Sequence, residues 1–412
     1  MALLDSKRDE IQNLAIQTWV ETGKKGTINL STGIGKTFSF IKATRFLPKS
    51  SKILFLAETS QREFDLKKDI TLFKKLFKYD LAKTHTLIFM CYQSSYKLIG
   101  TEWDMVCADE IHMSLSPEYI KFYKNNKYKT ILGLSATIDR PTSYMIDNVE
   151  ITKGDMIDKI APVVFKYTLN EAVKDGTTKK LRIFIVNHGL DFYHKTITSG
   201  TAKAQFLQTE KEAYDYWDNQ FKKTLFLPDS PAKTFRIRNT SAARAKILYN
   251  LPSKVTEIKK LLAVLSGKTL LFGNSVDALL ALTPNVISNR NSDKQNLELR
   301  EKFDKDKINL IASFKMLKQG ANLSNLDNTI LMSYYSKELD MVQAIGRQRV
   351  TDNIGNIFIY VTAGTQETKW YTKAMENINN YEEIHCHNTD DAIKKYQQFA
   401  KEADEPVENQ SV

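Results

Sequence analysis

The sequence contains little cysteine and no long apolar run. Its three cysteines, Cys91, Cys107 and Cys386, are far apart and form no C-x-x-C pair. That number cannot build a disulfide framework, and it favours a reducing compartment. No apolar run reaches the roughly 18 residues of a membrane-spanning helix, and the first residues, MALLDSKRDE, lack the apolar core of a secretory signal. We therefore expect an intracellular, cytoplasmic protein with no membrane partner.

The composition is that of a globular protein with a basic surface. Apolar residues make up 42% and charged residues 26% of the 412 residues, and neither fraction indicates disorder. The length allows two or three domains of about 150 residues each. The net charge of +11 and the isoelectric point near 9.2 favour a polyanionic partner, because a basic surface releases counterions from phosphates. Charge alone does not identify that partner, since many basic proteins bind no nucleic acid.

Short apolar runs recur along the chain in two series. Each run is nearly continuous rather than alternating, as in strands that are buried on both faces of a parallel sheet. The first series comprises residues 27–30, 52–57, 86–90, 105–108 and 130–134, and the second comprises residues 181–186, 269–272, 308–312, 329–332 and 357–361. Two such series predict an α/β protein with two lobes, each a mainly parallel sheet flanked by helices.

Breaks in this pattern suggest the domain boundaries. Pro162 interrupts the pattern, so we assign residues 1–162 to the first lobe and residues 163–385 to the second. The pattern turns helical over residues 188–250, which predicts a helical insertion near the start of lobe two. Residues 386–412 form a C-terminal tail whose acidic end, KEADEPVENQSV, predicts fraying.

A phosphate-binding loop is indicated by residues 31–37, STGIGKT. The segment follows a predicted strand and precedes an amphipathic stretch, which is the strand–loop–helix context that this motif needs. Glycines let backbone N–H groups turn toward phosphate oxygens, a lysine reaches the β- and γ-phosphates, and a threonine hydroxyl ligates Mg²⁺. The candidate ATP-binding residues are Thr32, Gly33, Ile34, Gly35, Lys36 and Thr37.

A pair of carboxylates follows the predicted strand MVCA. Asp109 is expected beside the metal, and Glu110 is then free to orient or deprotonate the attacking water. His112, in the same segment DEIH, is better placed to sense the γ-phosphate and the neighbouring lobe. Ser135 and Thr137 follow the strand TILGL, and their hydroxyls can bond back to the acidic pair; a simple helix cap is the alternative interpretation.

The segments TGIGKT, DEIH and LSAT, in this order, resemble motifs I, II and III of superfamily 2 helicases. The resemblance extends over roughly residues 8–365. It implies two RecA-like lobes, the first a helicase ATP-binding lobe and the second a helicase C-terminal lobe, with ATP and Mg²⁺ as cofactors. Gln12, in KRDEIQNLAIQTW, is similar to the glutamine with which the family reads adenine.

The second lobe contains two further segments that resemble helicase motifs. INLIASFKMLKQGANL is similar to motif V, and this implies Ser313 near the nucleic-acid backbone and Gly320 and Asn322 near the ATP cleft. QAIGR, which begins at Gln343, is similar to motif VI. The resemblance makes Arg347 the main arginine finger, which stabilises the transferring phosphoryl only when the lobes close.

Motif VI departs from the family pattern at its last arginine. The family places it three residues after the first arginine, where this chain has Val350; Arg349 lies one residue earlier and is interpreted as a helper of Arg347. The departure leaves Gln343, Arg347 and Arg349 as the candidate catalytic residues of lobe two, alongside Lys36 and the acidic pair of lobe one.

Polar side chains after predicted strands are candidate nucleic-acid contacts, because lobes of this kind grip the sugar-phosphate backbone. They are Thr59, Gln93 and Ser313. The combined motifs resemble most closely the compact phage-type and the UvsW-like or XPB-like DNA helicases, and a DEAD-box signature, which would favour RNA, is absent. The resemblance implies a monomeric, ATP-dependent DNA helicase or translocase that works with replication or recombination proteins, in the host cytoplasm if the source is viral.

Two alternatives remain open at the level of sequence. One is an RNA helicase on the same scaffold. The other is a nucleotide-gated factor that binds or assembles on DNA without unwinding it.

Overall fold

The computed structural model of the protein describes most of the chain. The described residues are 2–31, 33–136, 138, 140–146, 149–177, 181–201, 204–314, 326–333, 355–375 and 381–404. They form two large parallel sheets with a hydrophobic core on each face of each sheet. This confirms the predicted α/β fold with two RecA-like lobes.

The first lobe begins with a long helix and alternates strands and helices thereafter. Its elements are α1 (Ala2–Glu21), β1 (Lys25–Leu30), α2 (Lys36–Thr44), β2 (Lys52–Ala57), α3 (Gln61–Phe77), α4 (Leu81–Thr84), β3 (Thr86–Cys91), α5 (Tyr92–Ser95), β4 (Glu102–Asp109), a 3-10 turn (Ile111–Ser114), α6 (Lys121–Asn125), β5 (Lys127–Ser135), β6 (Ser143–Ile146), β7 (Val149–Thr152), α7 (Lys153–Ile160), β8 (Val163–Tyr167) and α8 (Leu169–Lys174).

The main sheet of this lobe has the strand order β3-β2-β4-β5-β1-β8, and every neighbouring pair is parallel. The continuous apolar run in β2 is buried from Ile53 to Ala57, as expected for a strand covered on both faces. Trp19 of α1 is fully buried, and its indole nitrogen donates to the Ile131 carbonyl at 2.9 Å, which docks α1 on the sheet. Because the strands are parallel, the loops after β1, β2, β3, β4 and β5 all open at one edge.

The second lobe repeats this architecture. Its elements are β9 (Leu181–His188), β10 (Ile197–Thr201), β11 (Ala204–Gln208), α9 (Glu210–Leu225), α10 (Pro231–Tyr249), α11 (Pro252–Leu262), β12 (Thr269–Gly273), α12 (Val276–Leu280), β13 (Val286–Ile287), α13 (Asp293–Asp304), β14 (Leu310–Phe314), β15 (Asn328–Leu331), β16 (Gly355–Thr362), α14 (Gln366–Met375), β17 (Glu382–Cys386) and α15 (Thr389–Asp404).

The main sheet of the second lobe has the order β13-β14-β12-β15-β16-β9-β17 and is also parallel. An ion pair lies inside this lobe: the Lys254 ammonium of α11 contacts the Glu367 carboxylate of α14 at 2.9 Å, and both side chains are completely buried. Glu367 also accepts from the Thr362 backbone N–H at 2.9 Å. This pair ties two helices to the end of β16.

The insertion in the second lobe is only partly helical. The helices α9 and α10 pack against each other, and an antiparallel hairpin of β10 and β11 precedes them. Position 200, near the end of β10, requires glycine, because it has φ +97° and a Cβ there would lie 2.1 Å from the Ala204 carbonyl oxygen. The β-branched residues of ITSGT favour a strand and were the signal for this hairpin.

The boundary between the lobes lies later than residue 162. β8 pairs with β1 and completes the first sheet, whereas the second sheet takes up the chain at β9. Pro162 therefore precedes the last strand of lobe one instead of ending the lobe. Proline is tolerated there because its position just before a strand requires no N–H donor, and its carbonyl accepts from Thr27 at 2.7 Å.

The predicted tail is also more ordered than its composition indicates. Cys386 ends β17, and α15 continues to Asp404 with Ala392 and Tyr396 in the core of lobe two. Residues 405–412 lie outside the described part of the chain. Across the described ranges, no helix combines the length and the apolar character needed to cross a bilayer.

Candidate active site

The phosphate loop connects β1 to the first turn of α2 at the carboxyl edge of the first sheet. Gly33 and Gly35 both have positive φ angles, +88° and +98°, which side-chain-bearing residues rarely adopt. α2 begins at Lys36, so the loop leads directly into the positive end of a helix. Thr32 lies outside the described residues.

Gln12 of α1 supports the loop from behind. Its amide nitrogen donates to the Ile34 carbonyl at 2.6 Å, and the side chain is almost fully buried. The same nitrogen would lie 2.6 Å from a Cβ on residue 35. The structure thus places Gln12 beside the phosphate loop, and its adenine-reading role stays a prediction.

The acidic pair lies at the end of β4, facing the phosphate loop. The Glu110 carboxylate forms an ion pair with the Lys36 ammonium. Burial alone would raise the pKa of Glu110, but Lys36 and, after it, His112 outweigh burial and lower this pKa below its usual value. Glu110 itself, directly after the last residue of β4, has φ +49°, an unusual conformation for a non-glycine residue.

His112 and Ser135 join the same cluster. The Ser135 hydroxyl donates to the Glu110 Oε2 at 2.9 Å, and the His112 Nδ1 lies 3.0 Å from the same hydroxyl. Both side chains are buried. The predicted contact between the segment after β5 and the acidic pair is therefore present for Ser135, whereas Thr137 lies outside the described residues.

Arg62 is a residue of this cluster that the sequence analysis missed. It lies in the first turn of α3, and its guanidinium bridges two predicted metal ligands: Nε donates to Asp109 Oδ2 and Nη2 donates to Thr37 Oγ1, each at 2.6 Å. Burial alone would lower the pKa of Arg62, but Asp109 outweighs it and this pKa lies well above its usual value. The available signal was an arginine just after β2, at the same sheet edge as the phosphate loop.

The oxygen atoms present here fit a magnesium ion. Thr37 contributes a hydroxyl and Asp109 a carboxylate, which are the hard oxygen ligands that Mg²⁺ prefers. The second carboxylate oxygen of Asp109, Oδ1, is buried and has no hydrogen-bond partner in the described part of the chain. Tyr92 fixes the backbone beside it, since its buried hydroxyl donates to the Asp109 carbonyl at 2.7 Å.

The predicted nucleic-acid contacts differ in their exposure. Thr59 follows β2 and is partly exposed, and Gln93 follows β3 and is exposed, so both are available at the carboxyl edge of the first sheet. Ser313 is completely buried within β14 and offers no surface to a ligand. The predicted second-lobe residues of the ATP cleft fall outside the described ranges: Gly320, Asn322, Gln343, Arg347 and Arg349.

One ion pair connects the two lobes near this site. Arg300 of α13 in lobe two donates through Nη2 to Asp65 of α3 in lobe one at 3.3 Å, and both side chains are largely buried. Asp65 lies three residues after Arg62, so the two residues share one face of α3.

Comparisons with known proteins agree with the two-lobed fold. Residues 5–140 match the family described as the res subunit of type III restriction enzymes. The ATP-dependent Type ISP restriction-modification enzyme LlaBIII bound to DNA superposes with a TM-score of 0.58 at 14% identity, over 95% of this chain and 32% of that enzyme. Dbp5 of S. cerevisiae, bound to RNA and ADP BeF3, superposes with a TM-score of 0.59 at 13% identity, over 95% of this chain and 92% of Dbp5. A sequence comparison with curated proteins found no match.

The two RecA-like lobes carry a phosphate loop and an acidic pair at the carboxyl edge of the first sheet. The chain shares this two-lobed fold with LlaBIII and Dbp5, and the family match covers residues 5–140, about a third of its length. The chain covers about a third of the length of the restriction enzyme to which it is similar.

Proposed function

We propose that this protein is an ATP-dependent DNA helicase or translocase that acts in replication, recombination or repair of a phage or similar genome. The observation that carries the proposal is the convergence of Lys36, Thr37, Asp109 and Glu110 at one point of the sheet edge. A lysine for phosphates, a hydroxyl and a carboxylate for a metal, and a second carboxylate for water are the components of phosphoryl transfer to water.

The residues of lobe one divide the work of binding and hydrolysis. The phosphates are held by Gly33, Gly35 and the N-terminus of α2. When nucleotide enters, the Lys36 ammonium leaves the Glu110 carboxylate and binds the β- and γ-phosphates. Glu110, released from Lys36, then orients or deprotonates the attacking water. Mg²⁺, held by Thr37 and Asp109, would neutralise charge on the transferring phosphoryl group.

Coupling between hydrolysis and motion runs through Ser135 and His112. The Ser135 hydroxyl donates to Glu110, and His112 forms a hydrogen bond with the same hydroxyl. A movement of the Glu110 carboxylate therefore alters the hydrogen bonds at the end of β5. We assign the stimulating arginine to Arg347 of lobe two, with Arg349 and Gln343 beside it. That assignment rests on the motif resemblance, and it requires the lobes to close for hydrolysis.

Nucleic acid is expected along the carboxyl edge of the first sheet, where Thr59 and Gln93 are accessible. The net charge of +11 supports a polyanionic partner. DNA is preferred because the motif combination resembles DNA helicases. We further propose a domain boundary between β8 and β9: the ATP-binding lobe ends with β8, and the C-terminal lobe begins with β9.

The test is ATP hydrolysis across a panel of single-stranded DNA, duplex DNA, forked DNA and RNA. We expect DNA to stimulate hydrolysis most, and Lys36→Ala and Glu110→Gln to abolish it while leaving the protein folded. Lys67→Ala, a substitution on the exposed face of α3, is the matched control and should leave hydrolysis unchanged. Undiminished hydrolysis in both site variants would overturn the assignment, and stronger stimulation by RNA would favour an RNA helicase.

Strand separation is a separate question from hydrolysis. A strand-displacement assay beside a triplex-displacement assay distinguishes a helicase from a translocase. Activity in both indicates a helicase, and activity in the triplex assay alone indicates a translocase that moves along duplex DNA without opening it. DNA binding that changes with nucleotide but displaces neither strand would instead favour the assembly factor.

A further inference from the structure

The contacts of Arg62 and those of a bound magnesium ion exclude one another. Mg²⁺ needs its oxygen ligands at about 2.1 Å in an octahedral shell. The Arg62 guanidinium is 2.6 Å from both Thr37 Oγ1 and Asp109 Oδ2, so it lies in the space between these oxygens. Two cations in that space would also repel each other strongly, because the surroundings are buried.

Arg62 is well suited to occupy this position. Its side chain is about nine-tenths buried, and its hydrogen bond to Asp109 is charge-assisted, which makes it stronger than a neutral one. A lysine could reach only one of the two oxygens at a time, whereas the planar guanidinium reaches both. The residue therefore holds Thr37 and Asp109 in place as a metal ion would.

We infer that Arg62 is an internal cation that exchanges with Mg²⁺ at Thr37 and Asp109, and that Asp65 receives its guanidinium when the metal enters. This inference rests on the proposed ATP and Mg²⁺ site and adds to it a positioning residue with a regulatory effect. Arg62 keeps the two ligands ordered, and the metal must displace it before phosphates can be held correctly.

Asp65 and Asp69 of α3 both carry charges that act on Arg62, and Asp65 is the one that also contacts lobe two. It lies one helical turn along α3 on the same face as Arg62. Its carboxylate is held by Arg300 of lobe two at 3.3 Å, a long contact that a second guanidinium can weaken. Entry of the metal would thus weaken the ion pair between Asp65 and Arg300. The side chains of Arg62, Asp65 and Arg300 would in this way couple the nucleotide site to lobe two.

The experiment measures equilibrium binding of a fluorescent ADP analogue to the full chain as a function of MgCl₂ concentration. In Arg62→Met, which keeps the shape of the stem and removes the competing charge, we expect the half-saturating Mg²⁺ concentration to fall by about tenfold, since charged hydrogen bonds contribute on this scale. Arg62→Lys should give an intermediate value. Circular dichroism and thermal unfolding establish that each variant is folded.

Substitutions at the other two residues test the relay. Asp65→Asn removes the acceptor, so more Mg²⁺ should be required than in the wild type. Arg300→Ala frees Asp65 to receive Arg62, so less Mg²⁺ should be required. Lys302→Ala, on the exposed face of α13, is the matched control and should behave as wild type.

The outcomes separate this inference from the proposed function. A wild-type chain that binds no ADP at any Mg²⁺ concentration contradicts the proposed function. If the wild type binds ADP with Mg²⁺ and a folded Arg62→Met variant needs as much or more Mg²⁺, then the exchange is wrong while the ATP site stands. An unchanged requirement in Asp65→Asn eliminates Asp65 as the acceptor.

Discussion

The amide nitrogen of Gln12 lies 2.6 Å from the position that a Cβ on residue 35 would occupy. Real Cβ atoms do not approach other atoms so closely, and Gly35 also has φ +98°. The Gln12 side chain of α1 therefore packs in space that only a glycine at position 35 leaves open. The loop is shaped by a helix that precedes it in the chain as well as by its own glycines.

Gly35→Ala should weaken nucleotide binding more than Gly33→Ala does. Both substitutions strain a positive φ, but only residue 35 meets Gln12, since nothing lies within 4 Å of a Cβ on residue 33. Titration with a fluorescent ADP analogue compares the two variants. Gln12→Ala combined with Gly35→Ala should recover part of the loss; equal losses for both glycines would show that the contact with Gln12 has no effect.

Loss of the buried partner of Glu367 should destabilise the second lobe strongly. Lys254→Met leaves an uncompensated carboxylate in a fully buried position, at a cost of about 3–5 kcal/mol in the free energy of unfolding. Urea denaturation followed by circular dichroism measures this cost. Lys254→Met with Glu367→Leu should restore much of the stability, and Lys67→Ala, which breaks an exposed pair, should change it by less than about 0.5 kcal/mol.

His188 should make the protein less stable in mild acid. Burial, and after it the charge of Lys254, lowers the pKa of His188 to about 3, so the folded protein keeps this imidazole neutral. The unfolded chain binds a proton at this histidine below about pH 6.5, so its contribution to stability is present above that pH and declines as the pH falls toward the folded pKa. Comparison of urea denaturation at about pH 7 and about pH 5 should show about 2 kcal/mol more loss in the wild type than in His188→Gln.

The boundary between the lobes can be checked with two fragments. A fragment of residues 1–177 includes β8 and should unfold cooperatively, whereas a fragment of residues 1–162 makes β1 an exposed edge strand, paired with β5 alone, and should be less stable or aggregate. Thermal unfolding and size-exclusion chromatography compare them. A fully stable shorter fragment would mean that β8 contributes little to the first lobe.

The sequence predicted the strands of both main sheets where apolar runs were continuous. The runs at residues 52–57, 86–90 and 269–272 coincide with β2, β3 and β12 to within a residue. Elements that lie at an edge or on the surface were missed: β8 at the edge of the first sheet, and the hairpin of β10 and β11. The hairpin strands are largely exposed and lack the apolar run that identifies a central strand, whereas β8 has the short run VVF, which the preceding Pro162 led us to interpret as a domain boundary.

The candidate site likewise contains residues that the sequence predicted and one residue that it did not. Lys36, Thr37, Asp109 and Glu110 belong to short local motifs whose chemistry is readable from adjacent residues, and the structure brings them together. Arg62 belongs to no such motif. Its importance depends on α3 beginning at the same sheet edge as α2, a relationship between segments that are 25 residues apart in the chain.

By itself, the sequence determined that this protein has two parallel α/β lobes and a phosphate loop followed by an acidic pair, because continuous apolar runs and local motifs carry that information. Only the tertiary structure decided that Gln12 packs behind the loop, that Ser313 is buried, that β8 belongs to lobe one and that Arg62 joins Thr37 to Asp109. These relationships arise from the pairing order of parallel strands, which places distant residues at one sheet edge and leaves no signature in the neighbouring sequence.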